Sequence, residues 1–205
     1  MNKVLSTSLV LLGSVTLYST ANGAITGSAH DFSSTGWSGG QICVACHAPH
    51  NNIEVVDAPL WNHEVSTAVY DLYSSPTLTA EDLRQPGGVS KLCLSCHDGT
   101  VAVDAFGGSS GSHFIGQGRN IGTDLSNDHP VSFTYDSSLA IEDGGLFDPA
   151  TTLSGVAGGT IEADMLFAGR MECSSCHDVH NKYDIFRLLK LTNSGSALCL
   201  TCHDK

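Results

Sequence analysis

All eight cysteines of this 205-residue chain fall in one five-residue pattern. They read Cys43-Val44-Ala45-Cys46-His47, Cys93-Leu94-Ser95-Cys96-His97, Cys173-Ser174-Ser175-Cys176-His177 and Cys199-Leu200-Thr201-Cys202-His203. Each is C-x-x-C-H, the pattern of covalent c-type haem attachment. Two thiols three positions apart reach two vinyl groups on one edge of a porphyrin. The histidine that follows lies under the ring and ligates iron. Four disulfides would also use up the cysteines of an exported chain, but they do not require a histidine after every second one. Zinc sites gather two CxxC pairs around one ion without a histidine at one offset four times. A thioredoxin-like pair occurs once, beside a βαβ pattern. The expectation is four covalent haem c groups, with His47, His97, His177 and His203 as proximal iron ligands.

Ligand supply sets the expected redox class. Six of the ten histidines remain: His30, His50, His63, His113, His129 and His180. Methionine is a poor alternative, since only Met165 and Met171 lie beyond the start of the chain, and such residues more often fill apolar space. Histidine on both faces of every iron implies low potentials and no open metal position. His50 and His180 each stand three residues after a proximal histidine. At that offset neither reaches the far side of its neighbour's haem easily, so each is expected on another haem. Pro130 holds His129 in extended backbone, which helps to aim its ring. His63, in Trp61-Asn62-His63, completes the primary set. His30 and His113 sit among glycine and serine.

The four motifs alternate in type. The first and third share Cys-x-x-Cys-His-x-x-His-Asn, ending at Asn51 and Asn181. The second and fourth share Leu-Cys-Leu-[Ser/Thr]-Cys-His-Asp, ending at Asp98 and Asp204. This order predicts two dihaem modules, 24–110 and 171–205, joined by a linker region 111–170 that carries His129. Repeats too small to bury their own surface lean on each other, and here on their haems.

Residues 1–23 have the order of a secretory signal peptide: Lys3, an apolar run from Val4 to Tyr18, then small residues with cleavage after Ala21 or Gly23. The run is shorter than the roughly 20 residues a membrane span needs. The mature chain is expected to be secreted, extracellular or at the cell surface, or alternatively periplasmic. The formal net charge of −12 excludes a general nucleic-acid binder, which needs a basic stripe.

No hydrophobic period runs long enough to define a conventional core. Short helices are expected over 79–83 and 162–167, a short strand over 131–135, and loops over 107–111 and 153–161. The fold class is therefore a small multihaem cytochrome c, mostly loops with short helices and few strands, packed around four covalent haems. No hydrolytic or nucleotide-binding constellation is present, and no catalytic residue is assigned.

Three stretches carry a family resemblance. They are 27–63, with Gly-Ser-Ala-His-Asp-Phe-Ser, Cys-His-Ala-Pro-His-Asn and Leu-Trp-Asn-His; 86–104, with Ser-Lys-Leu-Cys-Leu-Ser-Cys-His-Asp-Gly-Thr; and 113–135, with Asn-Asp-His-Pro-Val-Ser-Phe-Thr-Tyr. The chain resembles the doubled-CxxCH multihaem cytochromes. It is similar to the small tetrahaem surface cytochromes of metal-reducing bacteria that polymerise into extracellular filaments. The resemblance implies bis-histidine haems, a loop-rich fold, a homopolymer with haem-to-haem contacts, and exchange with other redox cytochromes and extracellular acceptors. It carries the distal role to His50, His63, His129 and His180. It makes His30, in the N-terminal arm, the candidate for a ligand donated between subunits.

Two classes of function remain open: an electron carrier, monomeric or polymeric, and a multihaem reductase with one open iron. The spare histidines favour the carrier.

Overall fold

The computed structural model describes residues 25–55 and 58–205. The expected leader, 1–23, lies outside the described residues. Regular structure is sparse. In chain order it comprises α1 (Gly88–His97), β1 (Phe133–Thr134), α2 (Ser137–Asp143), α3 (Ile161–Met165), β2 (Arg170–Met171), α4 (Cys173–Cys176) and α5 (Ala197–Leu200), with three single 3₁₀ turns. The two strands pair antiparallel, Phe133 opposite Met171 and Thr134 opposite Arg170.

Local chemistry explains where these elements stop. The Asp136 carboxylate accepts the Leu139 N–H and starts α2; Gly144, in the left-handed region at φ 68°, ends it. Thr160 caps α3 in the same way through Ala163 N–H. The strand expected over 131–135 forms only at Phe133–Thr134, because Ser132, fully buried and at φ 63°, breaks the alternation before it. Phe133 and Tyr135 turn inward while Thr134 is half-buried.

The helix expected over 79–83 does not form; those residues make a turn. Their polar groups are spent elsewhere. The Thr79 hydroxyl donates to Asp143 at 2.9 Å. Asp82 accepts the backbone N–H and the hydroxyl of Thr134 at 2.9 and 2.8 Å. A cap used in a tertiary contact cannot also nucleate a helix.

The largest apolar cluster sits in the second half of the chain. Phe133, Tyr135, Leu139, Ile161, Met165, Leu166, Met171 and Leu198 gather there with Ala140 and Cys202. Both Met165 and Met171 are buried in it. Tyr135 satisfies its hydroxyl by donating to the Phe147 carbonyl at 2.6 Å. A smaller cluster joins Tyr70, Leu94 and Leu125. Beside it the Tyr70 and Ser66 hydroxyls both donate to Asp98, at 2.6 and 2.5 Å.

The loop over 107–111 is closed by Asp104. Its carboxylate accepts the N–H groups of Ser112 and His113, each at 2.8 Å. Gly111, at φ 62°, lies so close to Asp104 and to the backbone of Ala105 that no side chain fits there. The N-terminal arm is also folded. Asp31 accepts the Gly27 and Ser33 N–H groups at 2.7 and 3.0 Å. Phe32 packs on Trp37, and Trp37 on Phe106, at centroid distances of 5.2 and 5.8 Å. Among the described residues, no helix is long and apolar enough to cross a membrane.

Candidate haem-binding site

Each CxxCH motif presents its histidine from a short helix or turn. In the second motif the cysteines and His97 lie on α1. In the third, α4 spans Cys173 to Cys176, and His177 follows in extended backbone. In the fourth, α5 ends at Leu200 inside the motif, Cys202 follows in a turn, and His203 in an isolated bridge.

Three of the four motif histidines are anchored through Nδ1. His47 donates to the Pro59 carbonyl at 3.0 Å, His97 to Arg119 at 2.9 Å, and His177 to Arg187 at 2.9 Å. Such a bond fixes the tautomer and leaves Nε2 free to ligate, the usual support of a metal-bound imidazole. His203 is placed instead by an antiparallel bridge to Leu146. Burial, then the repulsion of His129 and Lys205, lowers its pKa.

The anchors of the first and third motifs repeat in detail. His47 bridges Trp61, and His177 bridges Leu189. Ala48 N–H donates to the Leu60 carbonyl, and Asp178 N–H to that of Leu188. Leu60 and Leu188 both occupy left-handed backbone, at φ 58°. Asn51 and Asn181 do the same, each at φ 55°. The duplication read in the motifs therefore extends to loops that share little sequence.

Three histidine pairs form across the chain. His47 faces His180 with centroids 6.3 Å apart and planes at 17°. His97 faces His30 at 6.1 Å and 53°, and His203 faces His129 at 6.3 Å and 72°. An imidazole–metal bond is about 2 Å long, and the ring centroid lies about one ångström further back. Two imidazoles on opposite sides of one metal thus have centroids about 6 Å apart. The spacing fits iron between each pair.

His30 is half-buried. Burial first, then the neighbouring His97, pull its pKa down to about 4. It lies within its own chain, beside Val179 and His180. His129 holds Nδ1 on the Pro130 carbonyl at 2.8 Å. His63 is buried, with Nδ1 2.7 Å from the Glu64 carbonyl, Nε2 3.0 Å from that of Ala102, and Nε2 3.4 Å from Cys96 Sγ. His50 is exposed, with its Nδ1 3.2 Å from the Asn51 amide. His177 is in none of the three pairs. His113 is exposed, with Nδ1 on the Asp104 carboxylate at 2.8 Å. Sequence reading had no signal for that clamp, since Asp104 is nine residues away. Burial raises the Asp104 pKa, but the hydrogen bonds from His113 and Ser112 outweigh it and bring it to about 2.

All eight cysteines are free. Burial and a neighbouring thiol raise Cys46 to about 11; burial, Cys46 and Asp98 raise Cys96 to about 12. Burial and Cys176 raise Cys202 to about 12. A hydrogen bond between Cys93 and Cys173 raises the first and lowers the second. Among the described residues, no cluster of three or more His, Cys, Asp or Glu side chains forms a metal cage. The thiols also follow chain order: Cys46 acts on Cys96, Cys93 meets Cys173, and Cys176 lies near Cys199 and Cys202.

Residues 166–205 match the family described as the doubled CXXCH motif. That segment is typical of multihaem c-type cytochromes and carries a domain capable of electron transfer. Its motifs are those of covalent haem c attachment. Comparison with curated proteins found no match.

Proposed function

We propose that the chain is a tetrahaem c-type cytochrome that carries electrons through bis-histidine haems. Covalently held haem supplies one-electron redox chemistry at each motif. The protein's part is to hold the ligands and to exclude water. The observation that carries the reading is the set of three histidine pairs at iron-ligand spacing. In this reading His180 serves the first motif, His30 the second and His129 the fourth. Repeat symmetry gives the third motif His50, the counterpart of His180. His63, with both nitrogens facing carbonyls, keeps a place beside Cys96 rather than on an iron.

The thiol order supports a haem row running one, two, three, four, with α1 packed on α4 at its middle. The dihaem modules at 24–110 and 171–205 then share a junction, and the linker 111–170 supplies His129 and much of the core.

The finer proposal is a secreted chain that polymerises into an extracellular filament and passes electrons to other cytochromes and external acceptors. His30 beside His97 favours a ligand within the subunit over one reaching across an interface. His50 and His113 are the exposed histidines left for such a contact. Electron microscopy of the purified holoprotein should show fibres with a regular repeat. A homogeneous population of single particles at every concentration would leave a monomeric periplasmic carrier.

A second reading, a multihaem reductase, is favoured by His177 standing outside the three pairs. Electron paramagnetic resonance of the ferric protein separates the two. The carrier should be low-spin throughout, whereas one stoichiometric high-spin iron belongs to the reductase.

A further inference from the structure

Glu172 has no task in the carrier reading so far. It is 3% exposed and stands immediately before Cys173. Its Oε2 accepts the hydroxyls of Ser90 and of Ser132, the latter at 2.9 Å. Ser90 Oγ in turn accepts the Cys173 N–H at 2.9 Å, so its own proton goes to Glu172. The Glu172 N–H donates to Ser175 Oγ at 2.9 Å. These bonds join α1, which carries the second motif, to α4, which carries the third. The Cys93 and Cys173 thiols meet at the same crossing.

The charge at this crossing is only partly offset. Arg170 Nε is 3.9 Å from Glu172 Oε1, and the guanidinium also meets Asp82 at 3.1 Å. Two carboxylates and one guanidinium leave one net negative charge, and Glu172 is the member buried beside the thiols. Lys190 acts on Cys176 of the third motif, and its Nζ donates to the Asp164 carbonyl at 2.9 Å. Water screens a buried charge poorly, so its field reaches its neighbours.

We infer that Glu172 is a fixed buried anion that lowers the reduction potentials of the haems attached through Cys93 and Cys173 relative to the other two. This rests on the tetrahaem reading. Each iron gains one electron from an external one-electron reductant and passes from ferric to ferrous. The ferric site carries one more positive charge, so a nearby anion favours it and opposes reduction. Glu172 thus acts as a positioning residue that also sets charge at the middle of the row.

Intact mass followed by a redox titration, with potentials assigned through haem methyl resonances, tests this. In Glu172→Gln, the potentials of the second and third haems should rise while those of the first and fourth stay. Glu172→Asp keeps the charge and should retain the parent values. Arg170→Gln removes the nearby cation and should move the same two potentials downward. It also reads the effect if the glutamine variant fails to load four haems. Unchanged potentials, an equal rise at all four haems, or an aspartate variant that behaves like the glutamine one would overturn the inference. A parent protein carrying fewer than four haems would overturn the tetrahaem reading instead, and the mass reveals that before any titration.

Discussion

Replacing His180 with alanine should turn one haem high-spin, and that haem should be the one attached at Cys43 and Cys46. The nearer candidate by sequence is the third motif, whose His177 is three residues upstream. Yet the His180 ring faces His47, at 6.3 Å and nearly parallel. His47 is anchored on Pro59 through Nδ1, which leaves its Nε2 free to ligate. His180→Ala should therefore retain four covalent haems, because the thioethers are untouched, and lose one distal ligand. Ferric electron paramagnetic resonance should show one high-spin iron per chain. Adding Cys43→Ser and Cys46→Ser removes the first haem, and the high-spin signal should go with it. A signal that survives this addition would assign His180 to another haem. A variant that stays wholly low-spin would remove His180 from the ligand set.

Without haem the chain should lose its cooperative fold altogether. Among the described residues the longest helix has ten residues and the strands have two. Isolated helices below about 12–15 residues are marginal in water, and two-stranded ribbons fare no better. The two apolar clusters among the described residues are small, and one of them holds three residues. Large apolar groups such as Ile141, at 83% exposure, and Phe186, at 82%, lie open. In the proposed reading, covalent macrocycles bound to the folded state, with ligands drawn from distant parts of the chain, would supply what this core lacks. A chain with all eight cysteines changed to serine should show no sharp thermal transition by circular dichroism. The holoprotein should show one. A sharp transition in the serine variant close to that of the holoprotein would mean that the polypeptide core suffices.

The attachment chemistry was legible in the sequence because it is local. Five consecutive residues would supply both thioethers and one ligand in the proposed reading, and the pattern repeats four times. The pairing of ligands was not legible, because it is long-range. Nothing in Cys-His-Asp-Val-His tells which of four distant rings His180 will face. His63 shows the same limit. It stands in Trp61-Asn62-His63, beside bridges that match those around Leu189. Its structural counterpart is Leu191, an apolar residue, which becomes visible only once the two loops are superposed through their backbone bonds. The arm around His30 reads as flexible from its glycines and serines. Asp31 and the Phe32–Trp37–Phe106 contacts fold it onto the chain. The turn over 79–83 failed as a helix because its capping groups met partners 52 and 64 residues away. The short helix expected over 162–167 forms as α3, Ile161–Met165, whereas α2 went unread although its Asp136 cap and Leu139 partner lie within one turn.

The most direct test of the account is coulometric reduction of the purified, exported protein, followed in the visible spectrum. The tetrahaem carrier should take up four electrons per polypeptide, with every iron low-spin in the ferric state before reduction. Uptake of fewer than four electrons, or a spectrum without haem bands, would contradict it.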